Sequence, residues 1–169
     1  MTEFLSPQVT ANAEALLGYL ATPDGVDVAV QYVLGMTHFF RSAAALTEEE
    51  SQADWARCMV LLWPLCLESQ ESVPDFVVST FEQASGHPLP EGEERAHTYA
   101  EAMGDLGLFL YDLHQRGSRH AGTAAVQVLK AVVAALPPDR PSRPLALSGL
   151  GFALMEQVQN ETDPAKFDD

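Results

Sequence analysis

Ala96, Tyr99, Ala100, Met103, Leu106, Gly107, Leu110 and Leu113 recur at steps of three residues and one. Only a helix brings that spacing onto one face. The same period runs through nearly the whole chain and is broken by short turns rich in Pro and Gly. No segment alternates convincingly as a half-buried strand would. The chain is therefore expected to be all-α, with about seven antiparallel helices that pair as successive hairpins.

The helix signals set approximate boundaries. Ser6 as N-cap and Pro7 at the first helical position predict a helix to about Leu20, with Val9, Ala13, Leu16, Leu17 and Leu20 inward. Thr22-Pro23-Asp24 predicts a restart that continues to about Ala45. Its main stripe is Ala29, Tyr32, Val33, Met36 and Phe40; Val28, Val30, Leu34 and Phe39 add apolar groups on other sides, so burial on most of its surface is expected. Thr47-Glu48-Glu49-Glu50 is a capping box for a third helix carrying Trp55, Cys58, Met59, Leu62 and Cys66. Pro64 should kink or end it, because it lacks a backbone donor. Ser72-Val73-Pro74-Asp75 opens a shorter fourth helix with Phe76, Val77, Thr80, Phe81 and Ala84. Ser85 to Gly92 reads as a loop and as the best candidate for a subdomain boundary within a single 1–169 domain. Beyond the helix of Ala96 to Leu113, a sixth runs from about His120 to Leu136. A seventh starts near Ser142, with Leu147, Leu150, Gly151, Leu154 and Val158.

Charge excludes some functions. With 24 Asp and Glu against 9 Lys and Arg, the net charge is −15. Phosphate backbones and anionic membranes are repelled by such a surface, so neither nucleic acid nor membrane is an expected partner. A basic peptide or protein face is the better match. Cys58 and Cys66, eight residues apart on one helix, are too far along its axis to form a disulfide. Buried thiols in a reducing, cytoplasmic setting are expected. Met1 to Leu5 lacks the basic and apolar regions of a signal peptide. The longest apolar run, Met59 to Leu67, falls far short of the roughly 20 residues needed to cross a bilayer.

Signs of chemistry are few. Glu94-Arg-Ala-His97 matches the Glu-x-x-His unit of di-iron bundles, but no second copy exists. His97, Glu101 and Asp105 follow at four-residue steps, which usually marks a solvated face. His38, beside Phe39-Phe40, reads as a satisfied core histidine, and His114 and His120 as helix-end residues. There is no nucleophile elbow, phosphate loop, dinucleotide fingerprint or zinc pattern. The expectation is a protein that is not an enzyme and needs no cofactor.

Repetition is the remaining signal. Gly104-Asp-Leu-Gly-Leu-Phe-Leu110 overlays Ser148-Gly-Leu-Gly-Phe-Ala-Leu154 at an offset of 44 residues, with a weaker echo at Leu17-Gly18. A glycine there would let a partner backbone approach closely. The stretch from Leu136-Pro-Pro-Asp-Arg-Pro141 through Leu147 to Leu154 and Glu161-Thr-Asp163 resembles the long tetratricopeptide repeats of actinobacterial proteins, often found upstream of caspase-like CHAT domains. The resemblance covers about Glu94 to Asp169 and implies tetratricopeptide-like hairpins over 93–169, with 1–84 as divergent hairpins, in a short superhelical array. It implies function by binding, as a scaffolding or regulatory interaction module whose concave face is lined by the first helix of each hairpin. Placed relative to Gly107 and Gly151, that face holds Glu101, Leu108, Tyr111, Asp112, Leu145, Phe152, Met155 and Glu156, a mixture suited to a peptide with apolar anchors and basic residues. Self-association is a further option, because an uncapped last helix can pair with a second copy. The alternative is a compact bundle that binds a small apolar ligand around Phe39, Phe40, Trp55, Trp63 and Phe76.

Overall fold

The computed structural model describes residues 6–162, and the readings at 1–5 and at 163–169 lie outside them. Seven α-helices account for most of the described chain: α1 Pro7–Leu17, α2 Val28–Ala44, α3 Glu48–Glu68, α4 Asp75–Ser85, α5 Gly92–Gln115, α6 Ala121–Ala135 and α7 Arg143–Thr162. The protein is all-α apart from one very small hairpin. Among the described residues, no helix is long and apolar enough to cross a membrane.

That hairpin is the first correction. β1, Ala21–Thr22, pairs antiparallel with β2, Gly25–Val26, where the second helix is expected to start. Thr22-Pro23-Asp24-Gly25 places Pro at the second and Gly at the fourth position, which suits a tight turn as well as Pro suits a helix start. Gly25 has φ +132°, open to glycine and strained for other residues. The true N-cap of α2 is Asp27, whose carboxylate accepts from the backbone N–H groups of Ala29 and Val30 at 2.9 and 3.0 Å. The other caps follow the sequence: Ser6 accepts from Val9, and Thr47 from Glu50.

The inward face of α2 is the second correction. Gln31, Leu34, Gly35 and His38 are buried, while Ala29 and Val33 are exposed and Tyr32, Met36 and Phe40 are half-buried. The face is rotated because α3 supplies partners for its polar groups. Gln31 Nε2 donates to the Leu61 carbonyl at 2.8 Å, and His38 Nδ1 meets Asp54 Oδ1 at 2.7 Å. Hydrophobicity alone therefore places the face wrongly. Nor does Pro64 end α3. The helix runs on to Glu68, held by the buried side chains of Leu65, Cys66 and Leu67.

α2 pairs with α3 and α5 with α6; α3 packs on α5, and α7 lies against α6 and α5. Arg95 of α5 ties the first of these pairs to the second. It donates through Nε to the Leu67 carbonyl at 2.7 Å and through Nη2 to Cys66 at 3.2 Å, where the dipole of α3 favours a cation. α1 and the small hairpin fold back across the chain. Ala13, Leu17, Leu20 and Ala21 share one buried cluster with Leu106, Leu110, Leu113, Ala121, Ala124 and Ala125. In a purely linear stack each unit touches only its neighbours; here α1 packs on α2 and the small hairpin after it closes onto α6.

The two thiols sit in a second cluster with Leu62, Val77 and Phe81. Burial pushes both Cys58 and Cys66 up to about 12. A thiolate is the reactive form, so both should resist an aromatic disulfide reagent at about pH 8 in the folded protein and react together on unfolding. Prompt reaction of either in the native state would contradict this packing.

Candidate functional site

α5 and α7 form a seam that gathers most of the expected binding residues. Along α5, Glu101, Leu108 and Asp112 lie at steps of seven and four and so share one side of the helix. Across from them, the Ser142 hydroxyl donates to Glu101 at 2.8 Å. Gln115 Nε2 donates to Glu156 Oε2, and the other oxygen of Glu156 lies 3.7 Å from His114 Nε2. Tyr111 also hydrogen-bonds Glu156, and burial together with that carboxylate pushes its phenol above the usual range. Burial and the Glu101 charge push the nearby Asp105 carboxyl upwards. The seam is thus acidic at both ends.

The expected residues do not stay together. Leu108 points inward, and a Cβ at Gly149 would stand only 2.5 Å from its Cδ2. It fills the hole that Gly149 leaves and is not a free anchor. Glu101, Tyr111 and Glu156 are half-buried in seam contacts, while Asp112 is exposed and paired with Arg116 at 2.8 Å. Leu145 and Phe152, at 58% and 56% exposure, share a stripe beside the seam, seven residues apart. Met155 stands farther round, with Leu147, on the outer side of α7.

The repeat overlay is corrected at one position. Gly107 does admit a close neighbour, since a Cβ there would meet Leu129 Cγ at 2.8 Å. Gly151, its counterpart in the overlay, faces open space, and Gly149 makes the close contact instead. Nothing in the one-dimensional pattern distinguishes these two glycines.

Several other clusters resolve into structural contacts. Glu94 is ion-paired to Arg140 at 2.6 Å, and Arg140 also lies 2.9 Å from His97 Nδ1. Among the described residues, no group of three His, Cys, Asp or Glu is arranged to hold a metal ion. The aromatic residues near α3 pack on one another: Phe81 is edge-on to both Trp55 and Trp63 at 5.5 Å, and Phe39 meets Phe76 at 5.6 Å. The cleft within the seam, between Asp105, Leu108 and Leu145, holds only about 30 Å³. A larger apolar groove of about 310 Å³ runs between α5 and α6, lined by Ala96, Tyr99, Ala100, Met103, Val128, Ala131, Val132 and Ala135.

One polar constellation escaped the motif search because its members are 44 residues apart in sequence, from Thr10 to Asp54. His38 Nδ1 bonds Asp54, Arg41 Nε lies 3.2 Å from both Asp54 oxygens, and Arg41 Nη1 donates to Thr10 Oγ1 at 2.6 Å. His38 is 2% exposed and its Nε2 has no hydrogen-bond partner among the described residues, which leaves the core histidine half satisfied by them. Burial lowers its pKa against the opposing pull of Asp54. A His–Asp pair closed to solvent reads as a joint between α1, α2 and α3.

Compared with known proteins, the chain matches no family model, no curated protein and no solved structure.

Proposed function

We propose that this protein is a cytoplasmic interaction module, built of tetratricopeptide-like hairpins and not catalytic, that binds a protein or peptide partner across the α5–α7 seam. The observation that carries the reading is the exposed pair Leu145 and Phe152 alongside the carboxylates of Glu101, Asp105, Asp112 and Glu156. Exposed apolar groups rimmed by one sign of charge mark a binding surface for a complementary partner. The partner that fits has apolar anchors flanked by Lys or Arg. With a net charge of −15, association should be fast at low salt and slow as salt rises. The buried free thiols agree with a reducing compartment.

The test is capture with a photo-crosslinking residue at Leu145, comparing the natural chain with Phe152→Ser and with Asp112→Lys. Loss of an aromatic anchor should weaken a specific partner about 30-fold or more, equivalent to roughly 2 kcal/mol. Asp112→Lys should act mainly on the association rate. A partner that binds both variants as tightly as the natural chain would refute the seam. A second reading rests on the α5–α6 groove, whose volume reaches the lower end for small-molecule sites. It relocates the apolar-ligand alternative away from the packed aromatic cluster. Saturable binding of a fluorescent apolar probe, blocked by Ala131→Phe, would favour it.

A further inference from the structure

The outer face of α7 has a symmetry that its packing inside the monomer does not explain. Gly151 lies at the middle of a stripe with Leu147 four residues before it and Met155 four residues after; Pro144 and Val158 stand three residues beyond these. All five fall within a narrow strip of the helix surface and all are exposed. Between Pro144 and Gln159 the only charged residue is Glu156, and it is turned into the seam.

The other glycines in helix interiors show what such a position is for. A Cβ at Gly35, Gly104, Gly107, Gly122 or Gly149 would meet a side chain of another helix at 3.5 Å or closer. Gly151 is helical and solvent-facing, and has nothing within 4 Å. Glycine inside a helix sacrifices helix propensity, and at those five positions a close-packed neighbour compensates.

We infer that the outer face of α7 is a homodimer contact, in which two α7 helices cross antiparallel about a twofold axis at Gly151. The spacing of three, four, four and three residues is the same read in either direction. The axis therefore sets Leu147 against the partner copy's Met155, and Pro144 against its Val158, in two identical halves. That self-complementarity is what an isologous interface requires. Gly151 opposite itself lets the backbones approach, as small residues do wherever helices pack closely. Charge selects the same face. Two copies at −15 each repel over most of their surfaces, and this strip lets them meet without opposing carboxylates. The seam, with Leu145 and Phe152, stays open on the adjacent side of the helix, so partner binding and pairing use different stripes.

Sedimentation equilibrium of the purified chain over a wide concentration range tests this directly. The natural protein should show a monomer–dimer equilibrium that strengthens with added salt. Gly151→Leu and Met155→Glu should each raise the dissociation constant at least tenfold without lowering the thermal midpoint of the dilute protein, because both side chains point to open solvent in the monomer. With the native thiols buried, Gly151→Cys should oxidise rapidly to a disulfide-linked dimer, and a control cysteine at exposed Ser79 should not. A monomer at all concentrations overturns the inference. So does a dimer that Gly151→Leu and Met155→Glu leave intact, or equal cross-linking at positions 151 and 79.

Discussion

Replacing Asp54 by alanine is expected to destabilise the fold by about 3–5 kcal/mol, the usual consequence of leaving one partner of a buried ion pair behind. Asp54 is 6% exposed and is the acceptor on which both His38 and Arg41 converge. Without it, His38 loses the bond at Nδ1 while Nε2 already has none among the described residues, and Arg41 keeps its contact to Thr10 but loses the Asp54 carboxylate. Asp54→Asn should cost less, since it retains an acceptor and the volume. The measurement is urea unfolding at neutral pH, and an unchanged midpoint for Asp54→Ala would remove this joint from the account of stability. The same site predicts a pH limb. The folded-state pKa of His38 lies below its unfolded value of about 6.5. The stability contributed by neutral His38 is therefore fully present above that value and is lost as pH falls toward the folded pKa. In His38→Gln that part of the slope should vanish.

The second large effect is expected at Gly107→Leu, about 3 kcal/mol of destabilisation, at the upper end for an overpacked core. The added Cβ alone would stand 2.8 Å from Leu129 Cγ and 3.2 Å from Val128 Cγ1, before the rest of the leucine is accommodated. Because α5 and α6 are packed around this contact, the whole pair must separate. Gly151→Ala is the matched control. It adds a Cβ into open space and should be neutral or stabilise the monomer by up to about 1 kcal/mol. Thermal melts of the two variants side by side decide the matter. Helix propensity alone predicts a gain at both positions, so a Gly107→Leu variant as stable as Gly151→Ala would remove the close approach from the account.

These two sites also mark where the sequence was readable. Gly107 stood out because its neighbours repeat at helical spacing. The caps at Ser6 and Thr47 and the turn glycines after α4 and α5 were legible as well, since they depend on local backbone chemistry. The small hairpin at 21–26 was misread because Pro-Asp serves a turn and a helix start equally well, and only the pairing of Ala21 with Val26 separates them. The inward face of α2 was misread because Gln31 and His38 are polar. Their burial becomes affordable only when Leu61 and Asp54 of another helix arrive to bond them.

At the seam, the mixed apolar and acidic character of α5 and α7 came from the residues themselves. Which of them remained available did not. Leu108 and Phe152 carry the same apolar signal, yet Leu108 is drawn under Gly149 while Phe152 stays in solvent. By itself the sequence determined the helical class, the caps, the acidity and the periodic faces, because each arises within a few residues of backbone. The tertiary structure decided the rotation of α2, the contact of the small hairpin with α6, the Thr10–Arg41–His38–Asp54 joint, and the contrast between Gly149 and Gly151. These depend on which distant side chain arrives at a given surface, and the chain meets its partners only when it folds.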